Sequence, residues 1–594
     1  MKKSALAMAV AASLFSYAST SYAASDSAQT TDDTVVVTAN RFEQKIDSTT
    51  APVVVVTKQE IERIQASDLL DVLNTLPGIQ IARNGSYGQT SSVFIRGTND
   101  THTLVLIDGA RVGSSTTGTA SLSTIPLVSI SRIEYLRGPR AAVYGSDALG
   151  GVINIITDNS SQETELGAVY GSDNYRDVKA LTSGYISEQL HASLGYEFQD
   201  VDGYSVKSGA GNEDDDGYLS RNLTSNLDYK FNEQWQANLL VLLHNGRVEF
   251  DSADKFTTEQ NYNVVSNVKY SSDTFNSQLM VAANQDKRET LAYGSTYETL
   301  RQEVNWTNQY LVSDIWTVGG GVEWYVDDVS KSSVSYDETS RYNTAAYLTT
   351  TLNYEQYDAE ASVRHDDNQR YGENNTWQLG LGYRINDTYR LTANGGTGYH
   401  APTFNQLYYP NYGDPDLKPE ESKNVEIALS ASYDIFDIRL SGFRNDIDNL
   451  ISGQGSTVAS YNEAIIKGAE LEFDFDTGPF SHKVSYDYTD AKDKDTNYEL
   501  RRRAKHSAKW NSSYSVDSWI LSMTYTYQGS RFEDKTNSEV LGAYSLFDFS
   551  VAYQFDNGIK LGSKLTNAFD ADYETADGYN TADRKAYVSI DYKF

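Results

Sequence analysis

The sequence contains no cysteine in 594 residues. This absence excludes disulfide scaffolds, thiolate zinc sites and cysteine nucleophiles. Basic residues are also scarce, because 49 Lys and Arg stand against 81 Asp and Glu and give a formal net charge of −32. Such a surface repels phosphate backbones, so we expect no nucleic-acid partner. It suits divalent cations or cationic ligands better.

Long apolar runs are missing too. No stretch reaches 18 consecutive apolar residues, so the sequence predicts no transmembrane helix. The start does resemble an export signal, with a basic end at Lys2–Lys3, a short apolar run at Ala5–Phe15 and small residues in Ser21–Ala23. We expect residues 1–23 to be cleaved as a signal peptide. A membrane anchor is the alternative, but the run is too short to span a bilayer.

Motifs of catalysis are also absent from the sequence. There is no GxSxG elbow, no P-loop and no GxGxxG after a strand. The histidines are scattered and lack HExxH spacing: His102, His191, His244, His365, His400, His482 and His506. We therefore expect no enzyme. An outer-membrane protease or lipase that draws a His/Asp/Ser set from distant strands is the alternative.

Aromatic residues, in contrast, are abundant. They make up 12% of the chain, and tyrosine alone contributes 44 residues. A disordered acidic chain would be poor in aromatics. Tyrosine is amphipathic and gathers where lipid meets water, so this composition favours a protein at a membrane surface.

Residues 51–158 have the pattern of a compact α/β unit. The stretch "APVVVVTKQE" predicts a strand. The stretch "SDLLDVLNTLPG" predicts a helix that Ser67 caps and Pro77-Gly78 ends, since its leucines recur at helical spacing. Short apolar stretches bounded by glycine predict four further strands: "SSVFIRG", "HTLVLIDGARV", "ISRIEYLRG" and "GGVINIIT".

From about residue 160, apolar and polar residues alternate with period two as far as the C-terminus. In Val425–Tyr433, for example, the odd positions are Val, Ile, Leu, Ala and Tyr. Such alternation fits a soluble β-sandwich or propeller with one solvated face. It also fits a membrane barrel with an apolar outer face and a polar lumen. The export signal, the tyrosines and the terminal Phe594 favour the barrel.

The length of this region predicts the size of the barrel. Residues 159–594 accommodate about 22 spanning strands of roughly ten residues each, with their turns and loops. A barrel that wide leaves an open pore unless something fills it. We therefore predict an all-β transmembrane barrel of about 22 antiparallel strands, with the N-terminal α/β unit as a plug domain inside the lumen.

Several segments resemble the TonB-dependent outer-membrane receptors. Two stretches resemble the plug signatures of that family, "SSVFIRGTNDTHTLVLIDGARV" and "RIEYLRGPRAAVYGSDALGGVINIIT". Gly398–Ser430 is similar to a barrel segment of the family, and "LTNAFDADYETADGYNTADRKAYVSIDYKF" to its closing strands. "TANRFEQ" and "FDADYETADGY" favour the members that take up cobalamin. The resemblance implies a 22-stranded barrel with an internal plug, in the cell outer membrane.

The mature N-terminus, "DDTVVVTANRF", has five consecutive β-branched residues from Thr34 to Thr38. From the residues alone it is either the first strand of the plug sheet or an unpaired strand. The resemblance implies the second, within a periplasmic segment at 24–50. This TonB box would pair with the TonB protein by β-augmentation. Its residues are Asp33, Thr34, Val35, Val36, Val37, Thr38 and Ala39.

Arg41 follows this box directly. If the arginine is buried under the barrel wall, it needs a carboxylate partner. If it is exposed, it needs none.

One acidic stretch indicates a metal site. "GAGNEDDDGYLS" places carboxylates so close that they repel each other unless a hard cation neutralises them, and calcium takes oxygen ligands from such flexible loops. The resemblance implies calcium ligands, for about two ions, at Asp214, Asp216, Asp251 and Asp254. Ser205 stands after Gly203-Tyr204 where the family has an acid, so one ligand is missing unless Asp202 or Glu213 replaces it. A solvated acidic loop is the alternative.

Ligand contacts are expected from plug loops that face outward. Asn84–Ser92 and Gly113–Ser121 are small, polar and glycine-rich, which suits hydrogen bonds to the amides of a corrin rim. Tyr87 either stacks on the ligand or packs in the plug. In "LRRRAKHS", Arg502 and Arg503 either meet a ligand phosphate or form lumen salt bridges. The expected contacts are Asn84, Tyr87, Gln89, Thr90, Ser91, Ser92, Arg111, Ser114, Ser115, Thr117, Arg502 and Arg503.

The resemblance implies active uptake of cobalamin as cargo, energised through TonB and its inner-membrane complex. Outer-membrane lipid and lipopolysaccharide would surround the barrel. The alternative is a related receptor for an iron siderophore or haem. A passive porin-like channel or adhesin would need no TonB box.

Overall fold

The fold is described from a computed structural model, which defines residues 36–38, 40–157, 161–207, 214–251, 256–454, 457–461 and 463–594. The plug and the barrel belong to one compact unit, Val37–Phe594. Among the described residues, no helix has the length and apolarity needed to cross a bilayer.

The plug is built on a five-stranded sheet and a separate hairpin. The sheet strands, in spatial order, are Val53–Thr57, Arg132–Arg137, Gly151–Ile156, Thr103–Ile107 and Ala110–Arg111. Only the pair formed by Gly151–Ile156 and Thr103–Ile107 is parallel. The hairpin joins Ile79–Arg83 to Ser91–Ile95. Shorter elements are the strands Val36–Val37 and Gln44–Lys45, the helices Lys58–Ile64, Leu69–Leu73 and Ala141–Tyr144, and the 3-10 turns Ile46–Ser48, Asp100–His102, Leu122–Thr124 and Leu127–Ser129.

All the predicted plug strands form, but the helix Lys58–Ile64 was not predicted, and the predicted helix ends at Leu73, before Pro77-Gly78. The end of "APVVVVTKQE" is helical, because Thr57 and Glu60 form a reciprocal capping box at the start of Lys58–Ile64. The next helix is capped by Asp68 and not by Ser67. The Asp68 carboxylate accepts a hydrogen bond of 2.8 Å from the backbone N–H of Asp71.

The barrel is a closed antiparallel sheet of 22 strands within the described part of the chain. It closes where Glu163–Gly171 pairs with Lys585–Lys593. The strands between them are Arg176–Tyr185, Leu190–Tyr204, Asp216–Lys230, Trp235–Glu249, Phe256–Ser271, Phe275–Thr290, Ser295–Ser313, Trp316–Asp328, Ser340–Tyr354, Tyr357–Asn368, Gly372–Arg384, Tyr389–His400, Glu420–Tyr433, Phe436–Asp448, Glu463–Thr477, Phe480–Asp493, His506–Val516, Trp519–Gln528, Tyr544–Gln554 and Ile559–Thr566.

Side-chain exposure follows the period-two pattern of the sequence. Val425 and Ile427 are 60% and 57% exposed on the outer face, whereas Glu426 and Ala428 between them are 6% and 2% exposed. An apolar outer face with a polar inner face is the arrangement of a membrane barrel. The barrel prediction is confirmed, and the sandwich and propeller alternatives are wrong.

The two ends of the barrel differ in the length of their connections. One end has short turns, such as the connection from Thr477 to Phe480. The other end has long loops, which contain the helix Phe404–Tyr408, the 3-10 turn Leu291–Tyr293 and the hairpins Ile451–Gln454 with Thr457–Ser460 and Arg531–Phe532 with Val540–Leu541. The plug hairpin reaches this end, since Gln89 donates a 2.5 Å hydrogen bond to the Glu249 carbonyl.

Buried ion pairs hold the plug to the lumen wall. Arg96 of the plug contacts the barrel carboxylates of Glu426 at 2.9 Å and Glu470 at 2.6 Å. Arg137 of the plug donates to the same Glu470 at 3.0 Å. All four side chains are nearly inaccessible to solvent. Glu470 therefore connects two plug arginines to one barrel strand.

We predict that Glu470→Ala destabilises the plug by about 3–5 kcal/mol, because it leaves two buried guanidinium groups without their shared carboxylate. Hydrogen exchange of plug peptides at increasing urea concentration measures this free energy of opening. Glu421→Ala, on the outer face of a nearby strand, is the matched control and should leave the plug unchanged. Equal exchange in both variants would contradict the role assigned to Glu470.

Candidate functional site

The C-terminal part of the predicted TonB box lies against the plug. Val37 is fully buried, in a cluster that includes Leu104, Leu136 and Val143. Val36 and Thr38 also lie within the described residues, whereas Asp33, Thr34, Val35 and Ala39 lie outside them.

Thr38 is anchored to the plug by hydrogen bonds of its backbone and its side chain. Its backbone N–H and its hydroxyl donate to the Glu134 carboxylate at 2.9 and 2.5 Å. The Asn154 amide donates to the Thr38 hydroxyl at 3.0 Å, and the Tyr144 hydroxyl donates to its carbonyl at 2.5 Å. Glu134 and Asn154 belong to neighbouring strands of the plug sheet. The segment is thus fixed to the plug through side chains.

Arg41 is buried, and its carboxylate partner is Glu323 of the barrel. Its guanidinium also donates to the Val143 carbonyl at 3.0 Å. The sequence predicted that a buried Arg41 needs an acid but could not name one, because the partner is far away in the chain. Arg41 joins the box region to both the plug and the barrel wall.

Two of the predicted metal ligands lie around one short backbone segment. The carboxylates of Asp216 and Asp251 accept hydrogen bonds from the backbone N–H groups of Val206 at 2.8 Å and Lys207 at 2.6 Å. The Ser205 hydroxyl donates to Asp251 at 3.3 Å. The other carboxylate oxygen of Asp251 is buried and lacks a hydrogen-bond partner among the described residues.

The other acids expected to bind calcium are described only in part. Asp214 is exposed at the loop, and Asp254 and Glu213 lie outside the described residues. Within the described part of the chain, no group of three or more acidic or histidine side chains has the arrangement of a metal site. The orphaned oxygen of Asp251 and the paired acids fit a hard cation. The ion itself belongs to the proposal below.

The first predicted ligand loop connects the two strands of the plug hairpin. Tyr87 packs against barrel residues, with its ring 5.5 Å from that of Tyr175 and its hydroxyl 3.1 Å from that of Tyr587. Gly85 approaches the segment that Asp216 and Asp251 bind so closely that a Cβ atom there would lie 2.4 Å from Val206. This hairpin therefore contacts that segment, and Thr90 at its end is exposed. The neighbouring predicted contacts are Asn84, Gln89, Ser91 and Ser92.

The second predicted ligand loop, Gly113–Ser121, contacts the barrel and the helix Phe404–Tyr408. The backbone N–H of Ser115 donates to the Thr299 hydroxyl at 3.0 Å. Its carbonyl accepts a 3.1 Å hydrogen bond from the Phe404 N–H. Ser114 is half-buried and Thr117 is exposed. Both loops thus lie at the long-loop end of the barrel.

The three arginines predicted to bind ligand contact other groups of the protein. Arg111 is 1% exposed and donates to the Ser146 carbonyl at 3.0 Å. Arg502 pairs with Glu533 at 2.5 Å. Arg503 is 6% exposed and lies over the Phe94 ring, with 4.2 Å between its guanidinium carbon and the ring centroid. Arg502 therefore forms a lumen salt bridge, which was the alternative to a contact with a ligand phosphate.

One cluster was not predicted from the sequence. His102 of the plug and His400 of the barrel lie with ring centroids 5.5 Å apart, and both face Glu420. Asp147 of the plug contacts the other side of His400 at 2.8 Å. Because both imidazoles are buried and bound to carboxylates, they do not form an open histidine pair of the kind that would bind haem iron.

A barrel of 22 strands filled by its own N-terminal plug defines the class of this protein. The chain matches the family described as TonB dependent receptor-like, beta-barrel, over residues 153–568, and the TonB-dependent Receptor Plug Domain over residues 45–152. It therefore belongs to the TonB-dependent receptors of the outer membrane, a family of receptors and transporters and not a class of enzymes.

Within that family, two similar relatives are named vitamin B12 transporters BtuB. The relative from Photobacterium profundum is 40% identical, and the relative from Vibrio vulnificus is 37% identical. Both alignments cover the whole of each chain.

Solved structures of siderophore receptors share the fold. PirA from Acinetobacter baumannii superposes with a TM-score of 0.79 at 20% identity, over 91% of this chain and 98% of its own. A mutant of the ferric enterobactin receptor PfeA from Pseudomonas aeruginosa gives 0.79 at 19% identity, over 94% of this chain and 100% of its own. At these identities the likeness concerns the fold alone.

We predict that Glu134→Ala releases the segment around Thr38, because the change removes the acceptor of two hydrogen bonds. Hydrogen exchange of peptides that contain Thr38 should become faster, while the barrel strands keep their protection. Glu43→Ala, in the same segment but exposed, should exchange like the parent protein. Unchanged exchange at Thr38 in Glu134→Ala would show that buried Val37 holds the segment by itself.

Proposed function

We propose that the protein captures cobalamin at the long-loop end of the barrel and transports it into the periplasm in a TonB-dependent way. The observation that supports this best is the similarity over the full chain to vitamin B12 transporters. Residues 1–23 would act as the export signal of this receptor.

The surface expected to meet the ligand is neutral and polar. Thr90 and Thr117 lie exposed on the two plug loops, and Ser91 and Ser114 are half-buried beside them. Hydroxyl and amide groups of this kind suit the amide-rich rim of a corrin. An anionic siderophore would favour free arginines, but Arg111, Arg502 and Arg503 already contact protein groups. This favours cobalamin over the siderophore alternative.

Direct binding of cyanocobalamin to the purified protein in detergent tests the proposal. We expect saturable binding, and we expect uptake by whole cells to require TonB. Binding of a ferric siderophore in place of cyanocobalamin would favour the alternative receptor. Binding of neither compound would leave only the family assignment.

The TonB box is proposed to act as an added strand on TonB, because backbone hydrogen bonds supply the affinity in β-augmentation. We predict that Val36→Pro abolishes TonB-dependent uptake of radiolabelled cyanocobalamin and leaves binding intact, because proline removes a donor from the ladder. Val37 is unsuitable for this test, since it is buried in the plug. Val36→Ala is the control. Normal uptake by Val36→Pro would exclude pairing at this position.

Calcium is proposed to order the acidic loop next to the ligand hairpin, with about two ions held by Asp214, Asp216, Asp251 and Asp254. We predict that Asp216→Asn and Asp251→Asn weaken calcium binding at least tenfold, because each removes a charged ligand. Isothermal titration with calcium measures the effect, and Asp367→Asn on the outer barrel face is the matched control. Equal calcium affinity in all variants would mean that the loop is simply a solvated acidic loop.

The outer face of the barrel is proposed to contact membrane lipid and lipopolysaccharide. Ile427, Leu440 and Trp377 on different strands are about half exposed, at 57%, 54% and 49%. Apolar side chains of this kind need a lipid environment.

A further inference from the structure

His400 ends the barrel strand Tyr389–His400 at the long-loop end. Its Nδ1 lies 2.8 Å from an Asp147 carboxylate oxygen, and its Nε2 lies 3.6 Å from the Glu420 carboxylate. The Nε2 of His102 lies 2.9 Å from the same Glu420 oxygen. The side chains of His102 and Glu420 are 0% exposed and that of His400 is 2% exposed. Two plug residues and two barrel residues therefore form one buried polar cluster.

The hydrogen-bond partners assign the protons. The Nδ1 of His102 accepts a hydrogen bond from the backbone N–H of Asn99 at 3.3 Å, so its Nε2 carries the proton that Glu420 accepts. His400 directs both ring nitrogens at carboxylates, but only Nδ1 forms a hydrogen bond, to Asp147, because Nε2 lies too far from Glu420 for one. The two negative charges favour the imidazolium ion, whereas a neutral imidazole with a proton on Nδ1 would turn a lone pair towards Glu420. The geometry therefore fits a charged His400.

The other charged groups around this cluster have partners within the protein. Arg111 of the plug contacts Asp147 at 3.3 Å. The second oxygen of Glu420 accepts from the Ile451 N–H at 2.7 Å. Arg341 donates to the Pro402 carbonyl at 2.7 Å, beside His400. Arg301 pairs with Asp327 at 2.6 Å in the same small cavity.

The electrostatics of Asp147 agree with this arrangement. Burial by itself would raise the pKa of the Asp147 carboxyl, but the hydrogen bond from His400 and the positive charges of His400 and Arg111 hold this pKa below its usual range. Asp147 thus stays charged and available to His400.

The cluster is continuous with the second ligand loop. Directly after His400, the backbone N–H of Ala401 donates to the Ser146 hydroxyl at 3.2 Å. The N–H groups of Phe404 and Asn405 then donate to the carbonyls of Ser115 and Thr116, each at 3.1 Å. Whatever holds residues 400–405 against Asp147 therefore also holds the backbone of the ligand loop.

We propose that His400 is a positioning residue of the ligand site, and that its charged form clamps residues 400–405 and the ligand loop onto the plug. This inference rests on the proposed function for the identity of the ligand, but the clamp itself does not. When pH rises and His400 loses its proton, its attraction to the negative charges of Asp147 and Glu420 is lost. The ligand loop then loosens, and ligand affinity falls as pH increases.

The first test is cyanocobalamin binding to the full-length protein in detergent, from about pH 6 to about pH 9, at saturating calcium. We expect the dissociation constant to rise about tenfold over this range, because the charge-assisted hydrogen bond between His400 and Asp147 becomes a weaker one to a neutral imidazole. His400→Gln should bind weakly at every pH. His400→Lys should restore tight binding without the pH dependence. His365→Gln, an exposed histidine on the outer face, should behave like the parent protein.

A second measurement needs no ligand. Hydrogen exchange at Ser115 and Thr116, compared between the parent protein and His400→Gln at the same pH, should differ at low pH and converge at high pH. Equal exchange at every pH would overturn the clamp, as would a parent-like pH profile of binding in His400→Gln. Failure of cyanocobalamin to bind at all would count against the proposed function, while the exchange measurement would still decide the clamp.

Discussion

The plug stays inside the barrel because charged groups meet across a polar interface. A 22-stranded barrel has a lumen too wide for its own side chains to fill, and the inner residues of a membrane barrel are polar. The plug therefore contacts the wall through charge pairs and hydrogen bonds, beside an apolar patch of the wall that packs on the plug core. Arg96 and Arg137 share Glu470, and Arg41 reaches Glu323. Because an unpaired buried charge is strongly unfavourable, these pairs fix one orientation of the plug in the barrel.

The architecture was predictable from the sequence because each strand carries its own signal. Alternation along Val425–Tyr433 reports the lipid and lumen faces without any knowledge of neighbouring strands. Contacts across the lumen carry no such local signal. Arg41 and Glu323, or His102 and His400, are brought together only when the plug lies inside the barrel, so the sequence could suggest that Arg41 needs a partner but could not name it. The cap of the helix Leu69–Leu73 was mispredicted for a simpler reason. Ser67 and Asp68 are both residue types that cap helices well, and the structure uses Asp68, which also pairs with Arg83 at 2.8 Å.

The candidate ligand surface was likewise predictable only in part. Loop positions such as Thr90 and Thr117 were predictable because small polar residues mark the outward turns of the plug. The arginines were harder to assign, since a guanidinium serves a ligand or an internal carbonyl equally well. Arg503, for example, donates to the carbonyls of Gly97 and Thr98 and so supports the plug backbone. The charge of a residue indicates that it needs a partner, and only the fold decides whether that partner is internal.

The attachment of Thr38 also determines where a mechanical load enters the plug. Its contacts run to Glu134 and Asn154, on two adjacent strands in the interior of the five-stranded sheet. Traction on the N-terminus is therefore delivered to the middle of the sheet and not to its edge. Because hydrogen bonds to side chains join Thr38 to these strands, this attachment can break without unravelling the ladders of the five-stranded sheet. Once that attachment yields, the load passes along the chain to Arg41 and its contacts with Val143 and Glu323.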